Sequence, residues 1–277
     1  MPPLILLPPS EGKSDGGDGP PWSAGSLWAP ELDARRAKVM AALARAMAGP
    51  AARRGALLGV KGEALAAATD HDREVASAPT RAAIERYTGV LYQALDAATL
   101  PAPHRRRLDA QVRIFSGLWG VVGPADPIPD YKLKMGATLG RLSRPPVRLS
   151  TWWRPALTVA LAPEVAGRVV WDLLPGEHRA AWAPCVTATD PDAPRAIVSV
   201  RFCDRVERGG RSQLVTVSHW NKLLKGALVR HLLAHQLTDV EGLVEFDHPL
   251  GYRYDPDLTE VADDGVRLVV SFVKPPD

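Results

Sequence analysis

Leu4-Ile5-Leu6-Leu7 is an unbroken apolar run closed by Pro8-Pro9. Four apolar residues bounded by prolines predict a short strand buried on both faces. The Gly- and Asp-rich segment from Ser10 to Pro21 predicts a loop after it. Apolar positions at helical spacing predict helices over Glu31 to Ala48, within Ala52 to Ala68 on either side of a glycine stop, over Pro79 to Leu95 and over Arg105 to Gln111. Val112 to Phe115 reads as a strand, Trp152 to Ala162 as a helix and Arg168 to Leu173 as a strand. Gly176-Glu177 opens a further short helix. Ala196 to Phe202 begins apolar and then alternates, as a half-exposed strand does. A helix from His219 to about Leu237 and a strand over Val266 to Val273 complete the pattern. Strands interleaved with helices predict a mixed α/β fold: a single domain with a central mixed sheet surrounded by helices. No internal repeat, heptad or long linker divides the 277 residues.

Composition narrows the function classes. The 34 basic and 31 acidic residues leave a formal charge of +3, too small an excess for a dedicated nucleic-acid coat, so any DNA contact has to be a local patch. Two cysteines, Cys185 and Cys203, exclude a disulfide scaffold and a four-cysteine metal site, and both read as small buried hydrophobes. The N-terminus lacks a basic leader with a long apolar run, and no window approaches a membrane span. The expected location is cytoplasmic, with no membrane partner.

The candidate chemistry concentrates where the apolar pattern breaks. After Phe115 the chain turns to Ser116-Gly117-Leu118-Trp119-Gly120. Pro124 to Pro129 can continue neither a helix nor a strand interior. A loop at a strand end is therefore expected, and such loops carry a disproportionate share of binding side chains. That loop delivers Tyr131, Lys132 and Lys134. This basic-aromatic cluster suits stacking a base while a cation meets phosphate, or orienting a small ring in a pocket. Gly117, Gly120 and Gly136 around it point to close backbone packing. Ser10-Glu11-Gly12-Lys13 follows the first strand, with a glycine that lets backbone approach an anion and a lysine that supplies charge. It reads either as a ligand site or as a solvated Glu-Lys turn, and it lacks the spacing of a phosphate-binding P-loop.

These segments, with Arg86 to Tyr92, Asp172 to Glu177, Lys222 to Arg230 and Gly251-Tyr252, resemble the YaaA family of bacterial peroxide-stress proteins from end to end. The resemblance implies a mixed α/β fold, a cytoplasmic protein that limits damage when iron and peroxide coincide, and DNA binding. It favours a site role for Ser10, Glu11 and Lys13. It marks Glu177, otherwise a helix-start carboxylate, as a candidate general base or ligand for an amino group. Leu58 to Leu65 also resembles the hairpin of a helix-hairpin-helix DNA module, one residue out of register; a plain connection between two helices is the favoured reading.

On the last long helix, Lys222, Lys225 and Arg230 approximate one basic side. Their match to the family favours anion contact from Lys222 and Arg230. His231 and His235 stand four apart, a spacing by which two imidazoles reach one metal, with His219 as a further candidate. No third ligand accompanies the pair, and surface or capping roles are the commoner reading. A haem held by His219 or His178 in a Trp-rich pocket is a further reading, and Trp152-Trp153 reads as core packing or a stacking platform. No hydrolase triad can be assembled. Two functions result. One is a nucleic-acid binder with a basic cleft of Lys13, Lys132, Lys134, Lys222 and Arg230. The other is an enzyme on a nucleobase, nucleotide or similar planar amine, haem- or iron-dependent in one version, with Tyr131 and a tryptophan holding the ring and Glu11 or Glu177 moving protons.

Overall fold

The computed structural model describes residues 1–140, 142–187, 190–208, 211–217, 220–248 and 250–274. In chain order the elements are β1 (Leu4–Leu7), α1 (Asp33–Met47), α2 (Ala51–Leu58), α3 (Gly62–Glu74), β2 (Arg81–Ala82), α4 (Ala83–Arg86), α5 (Val90–Leu95), α6 (Ala102–Gln111), β3 (Val112–Ser116), β4 (Gly120–Val122) and β5 (Pro127–Ile128). They continue with α7 (Leu149–Val165), β6 (Val169–Asp172), α8 (Gly176–Arg179), β7 (Ala196–Arg208), β8 (Arg211–Thr216), α9 (Asn221–His235), β9 (Arg253–Val261) and β10 (Arg267–Lys274). The main sheet has eight strands in the order β4-β3-β1-β6-β7-β10-β9, with β8 paired to β7. The mixed α/β expectation is met.

The five inner strands β3, β1, β6, β7 and β10 run parallel, while β4, β8 and β9 pair antiparallel with their neighbours. Parallel strands are covered on both faces, which is why Leu4 to Leu7 is apolar without alternation and fully buried. The chain leaves β1 for β3 on one side and later returns to place β6 on the other. Strand order thus reverses around β1, and the loops at its C-terminal end diverge to open a crevice, the usual ligand position in open α/β sheets.

Pro79 to Leu95 is not one helix. Arg81–Ala82 pairs with Pro127–Ile128, and Tyr87-Thr88-Gly89 separates α4 from α5. Backbone pairing with the N-terminal loop overrides the helical pattern: Thr88 N–H donates to Gly12 O at 3.1 Å, Ser14 N–H donates to Arg86 O at 2.8 Å, and Lys13 bridges Tyr87. The turn after Phe115 is shorter than expected, because Gly120 reverses the chain at φ 74° into β4, which pairs with β3. β8 and β9 went unpredicted. β9 is an edge strand that accommodates Pro256, and a register shift marks its pairing with β10. Cys203 is buried, whereas Cys185 is only partly so. Among the described residues, no helix is long and apolar enough to cross a membrane.

Candidate functional site

The loops after β1, β5 and β6, the start of α5 and the start of α9 enclose a cavity of about 590 Å³. Pro8 to Lys13 forms one wall, Tyr131 to Lys134 another, and Glu177, His178 and Lys222 close the rim. Small residues bring these loops together. A Cβ on Gly117 would lie 2.6 Å from Leu133 O and 2.9 Å from the Lys134 carbonyl carbon, so the Tyr-Lys loop lies directly on the end of β3. Gly89 likewise lets Ser10 pack against the start of α5, and Tyr92 Oη donates to Pro8 O at 2.7 Å.

Beneath the cavity lies a chain of hydroxyls. Tyr131 Oη is 2.7 Å from Ser116 Oγ and 2.8 Å from Tyr87 Oη. Ser116 Oγ also accepts the N–H groups of Leu118 and Trp119, at 3.2 and 3.0 Å. Burial raises both phenols, that of Tyr131 to about 12, so they work as neutral donors and acceptors at physiological pH. Lys13 Nζ stands 4.3 Å from the centre of the Tyr131 ring, a cation–π contact. Its hydrogen bond goes to Ser10 O at 3.3 Å, and burial pulls its ammonium down to about 8.

Lys132 and Lys134 converge on one carboxylate, at 3.0 Å to Glu11 Oε2 and 3.3 Å to Glu11 Oε1. The Lys132 hydrogen bond holds the Glu11 carboxyl below its ordinary value, against a smaller desolvation effect. The Lys132 backbone N–H donates to Asp72 Oδ1 at 2.7 Å, while Asp72 Oδ2 is buried without a partner among the described residues. Burial pushes the Asp72 carboxyl up to about 7. On the opposite rim His178 is 6% exposed. Its Nδ1 is 3.6 Å from Glu177 Oε1, neither ring nitrogen has a hydrogen-bond partner among the described residues, and burial pulls the imidazole down to about 4.

The Asp72 shift gives the fold a pH signature. From about 4 to about 7 the folded state keeps a proton that the unfolded chain has released, so the carboxyl's contribution is full below that window and lost as pH rises through it. Lys13 acts higher up and in the other sense, favouring folding as pH rises from about 8 towards its ordinary 10.5. In urea titrations, Asp72→Asn is expected to flatten the decline in stability between about pH 4 and pH 7. An unchanged decline in the variant would assign it to other groups.

The structure brings Ser10, Glu11, Lys13, Tyr131, Lys132, Lys134, Glu177 and Lys222 to the cavity, with Ser116 and Gly117 directly beneath its wall. Other candidates lie elsewhere. Arg230 lies outside the cavity lining and caps α5 through Nη1, which donates to Leu95 O at 2.7 Å and to Asp96 O and Thr99 Oγ1 at 3.0 Å. Lys225 donates to Leu173 O at 3.0 Å and steadies the segment leading to α8. Trp152 packs on Trp153 with ring centres 5.0 Å apart and under the Arg35 guanidinium, outside the cavity lining. His231 and His235 stack at 4.3 Å, and among the described residues no three His, Cys, Asp or Glu side chains converge to hold a metal. His219 lies outside the described residues. Asp72 escaped sequence reading because Asp70-His71-Asp72-Arg73-Glu74 looks like a solvated helix face. Tyr87 sat in a segment already marked by the family resemblance, which was its only signal.

The structure thus defines an open α/β protein with an aromatic-walled, lysine-rich cleft at the ends of its parallel strands. A family model described as peroxide stress protein YaaA matches residues 4–258. A UPF0246 protein of Streptomyces coelicolor is 39% identical over 256 residues, covering 91% of this chain and 92% of that protein. UPF0246 proteins of Corynebacterium glutamicum and Ruegeria pomeroyi are 34% and 32% identical, covering 87% and 73% of this chain and 91% and 77% of their own. The chain belongs to the YaaA peroxide-stress family.

Proposed function

We propose that this peroxide-stress-family protein binds nucleic acid at the cleft, with one nucleotide unit entering the cavity. The observation that carries this reading is the charge of the lining: four lysines, Lys13, Lys132, Lys134 and Lys222, against two carboxylates, Glu11 and Glu177. That excess suits phosphate, and Pro8 and Pro9 supply a flat apolar wall for a sugar or base. The α2–α3 connection reinforces it, because Gly59 turns at φ 71° beside Lys134, 3.4 Å from where its Cβ would lie. A helix hairpin therefore borders the same rim.

Anisotropy of labelled duplex and branched DNA, titrated at several salt concentrations, tests this directly. The expected result is affinity that falls steeply with salt, weakens in Lys132→Ala and resists competition by free nucleotides. Full displacement by one nucleotide would overturn it in favour of a second reading, an enzyme acting on a small planar ligand. The Ser116–Tyr131–Tyr87 hydroxyl chain beside Lys13 favours that alternative, since it provides connected proton donors next to an amine.

Glu11 separates the two readings. Its carboxylate occupies the two lysines that phosphate needs, so Glu11→Gln is expected to tighten DNA binding about fivefold, near 1 kcal/mol for an exposed pair. An enzyme that uses Glu11 to move protons would instead lose turnover in that variant.

A further inference from the structure

The four lysines of the cleft are not equivalent. Lys132 and Lys134 are paired with Glu11, and Lys222 stands exposed on the rim. Lys13 is drawn in against the Tyr131 and Tyr87 rings, 4.3 and 5.7 Å from their centres. Among the described residues, no carboxylate lies within ion-pair distance of it, and the hydrogen bond to Ser10 O is long at 3.3 Å. Carboxylates nevertheless act on the Lys13 charge in field: Asp130 first, then Asp72, which is fully buried with one oxygen unpartnered among the described residues. An amine packed on aromatic faces, without a counter-ion and lining an open cavity, is the setting in which lysine serves as a nucleophile rather than an anchor.

We propose that Lys13 captures an aldehyde as a Schiff base, the ligand class being the open-chain aldehyde of a phosphorylated sugar. The sugar-phosphate part rests on the phosphate-binding reading above, since Lys132, Lys134 and Lys222 surround the same cavity. Two sources share this chemistry: an abasic position in nucleic acid, where base loss leaves an aldehydic sugar, and a free aldose phosphate. The neutral amine attacks the carbonyl carbon, a C–N bond forms, and the carbonyl electron pair moves to oxygen, which takes a proton. The nitrogen then loses its remaining protons as the hydroxyl departs with one as water, leaving C=N; no oxidant or reductant is consumed. With burial holding Lys13 near 8, about one amine in ten is neutral at pH 7, against fewer than about one in a thousand for an ordinary lysine.

Trapping with sodium cyanoborohydride tests the proposal on the full chain. One arm contains a duplex with a single abasic site, the other deoxyribose 5-phosphate, and peptide mass spectrometry locates the reduced adduct. The expected result is modification of Lys13 at least about tenfold above Lys132, Lys134 or Lys222, lost in both Lys13→Arg and Lys13→Met. Because the wild-type protein itself reports the modified position, the reading survives if either variant folds poorly. An adduct on Lys13 from the sugar phosphate alone supports the Schiff base and removes nucleic acid as its source. Unmodified Lys13, or label spread evenly over the four lysines, while anisotropy still detects the abasic duplex, overturns the Schiff base and leaves the binding function standing. With neither binding nor adduct, both fall.

Discussion

Alanine at Gly117 is expected to cost about 1–3 kcal/mol of stability and at least about tenfold in ligand affinity, the latter because a shift of the order of 1 Å in positioning groups is felt strongly at a site. The added methyl would lie 2.6 Å from Leu133 O, 2.9 Å from the Lys134 carbonyl carbon and 3.0 Å from Lys134 O. All three are backbone atoms, so no rotamer change relieves the overlap, and the Tyr131 to Lys134 segment has to move off β3. That motion pulls at the Tyr131 contact with Ser116 and the Lys132 contact with Asp72, and it parts both lysines from Glu11. Gly176→Ala is the matched control: it lies on the same rim, with nothing within 4 Å of its Cβ position, and is expected to change stability by less than about 0.5 kcal/mol. Denaturation midpoints and anisotropy on the two variants decide the matter. Equal behaviour would mean that the loop is free to shift without consequence for binding.

That glycine shows how much of the site could be read from sequence. Gly117 stood out as a small residue after an apolar strand, and the Tyr131-Lys132-Leu133-Lys134 run stood out by composition; their contact depends on where β3 ends relative to a loop more than ten residues later. Residues carried by local pattern, such as the strand at Leu4 to Leu7 and the basic loop, were legible. Those defined by long-range pairing were not. Asp72 reaches the site from α3 to accept an N–H 60 residues away. Tyr87 is turned out of a helical pattern by the N-terminal loop. Arg230 looked like an anion ligand because its neighbours are basic, yet its Nη1 is held by the carbonyls at the end of α5. The same distinction governs the sheet: β1, β3 and β6 announce themselves by unbroken burial, whereas β8 and β9, partly exposed and polar, depend on their partners.

Arg36→Leu carries the largest expected loss of stability, about 3–5 kcal/mol, the cost of breaking a buried ionic group by removing one side of it. Arg36 is fully buried on α1. Its guanidinium donates to Trp119 O at 3.1 Å, Ala29 O at 3.0 Å, Asp33 Oδ1 at 2.7 Å, Trp28 O at 2.7 Å and Val121 O at 2.9 Å. Five N–H groups meet five acceptors, so the side chain is completely satisfied. Leucine fills part of the volume but strands four carbonyls and a carboxylate, and at about 2–4 °C per kcal/mol for a chain of this size the melting temperature should fall by about 10 °C. Lysine keeps the charge without the planar fork and is expected to recover little. The effect reaches the site as well. Trp119 and Val121 flank the turn whose N–H groups hold Ser116 Oγ, and Ser116 in turn holds Tyr131. Loosening that turn should weaken ligand binding at temperatures where Arg36→Leu is still folded, a loss absent from a surface control such as Arg253→Leu. A melting temperature within about 3 °C of wild type would show that the carbonyls find other donors and that the turn is held by the sheet alone.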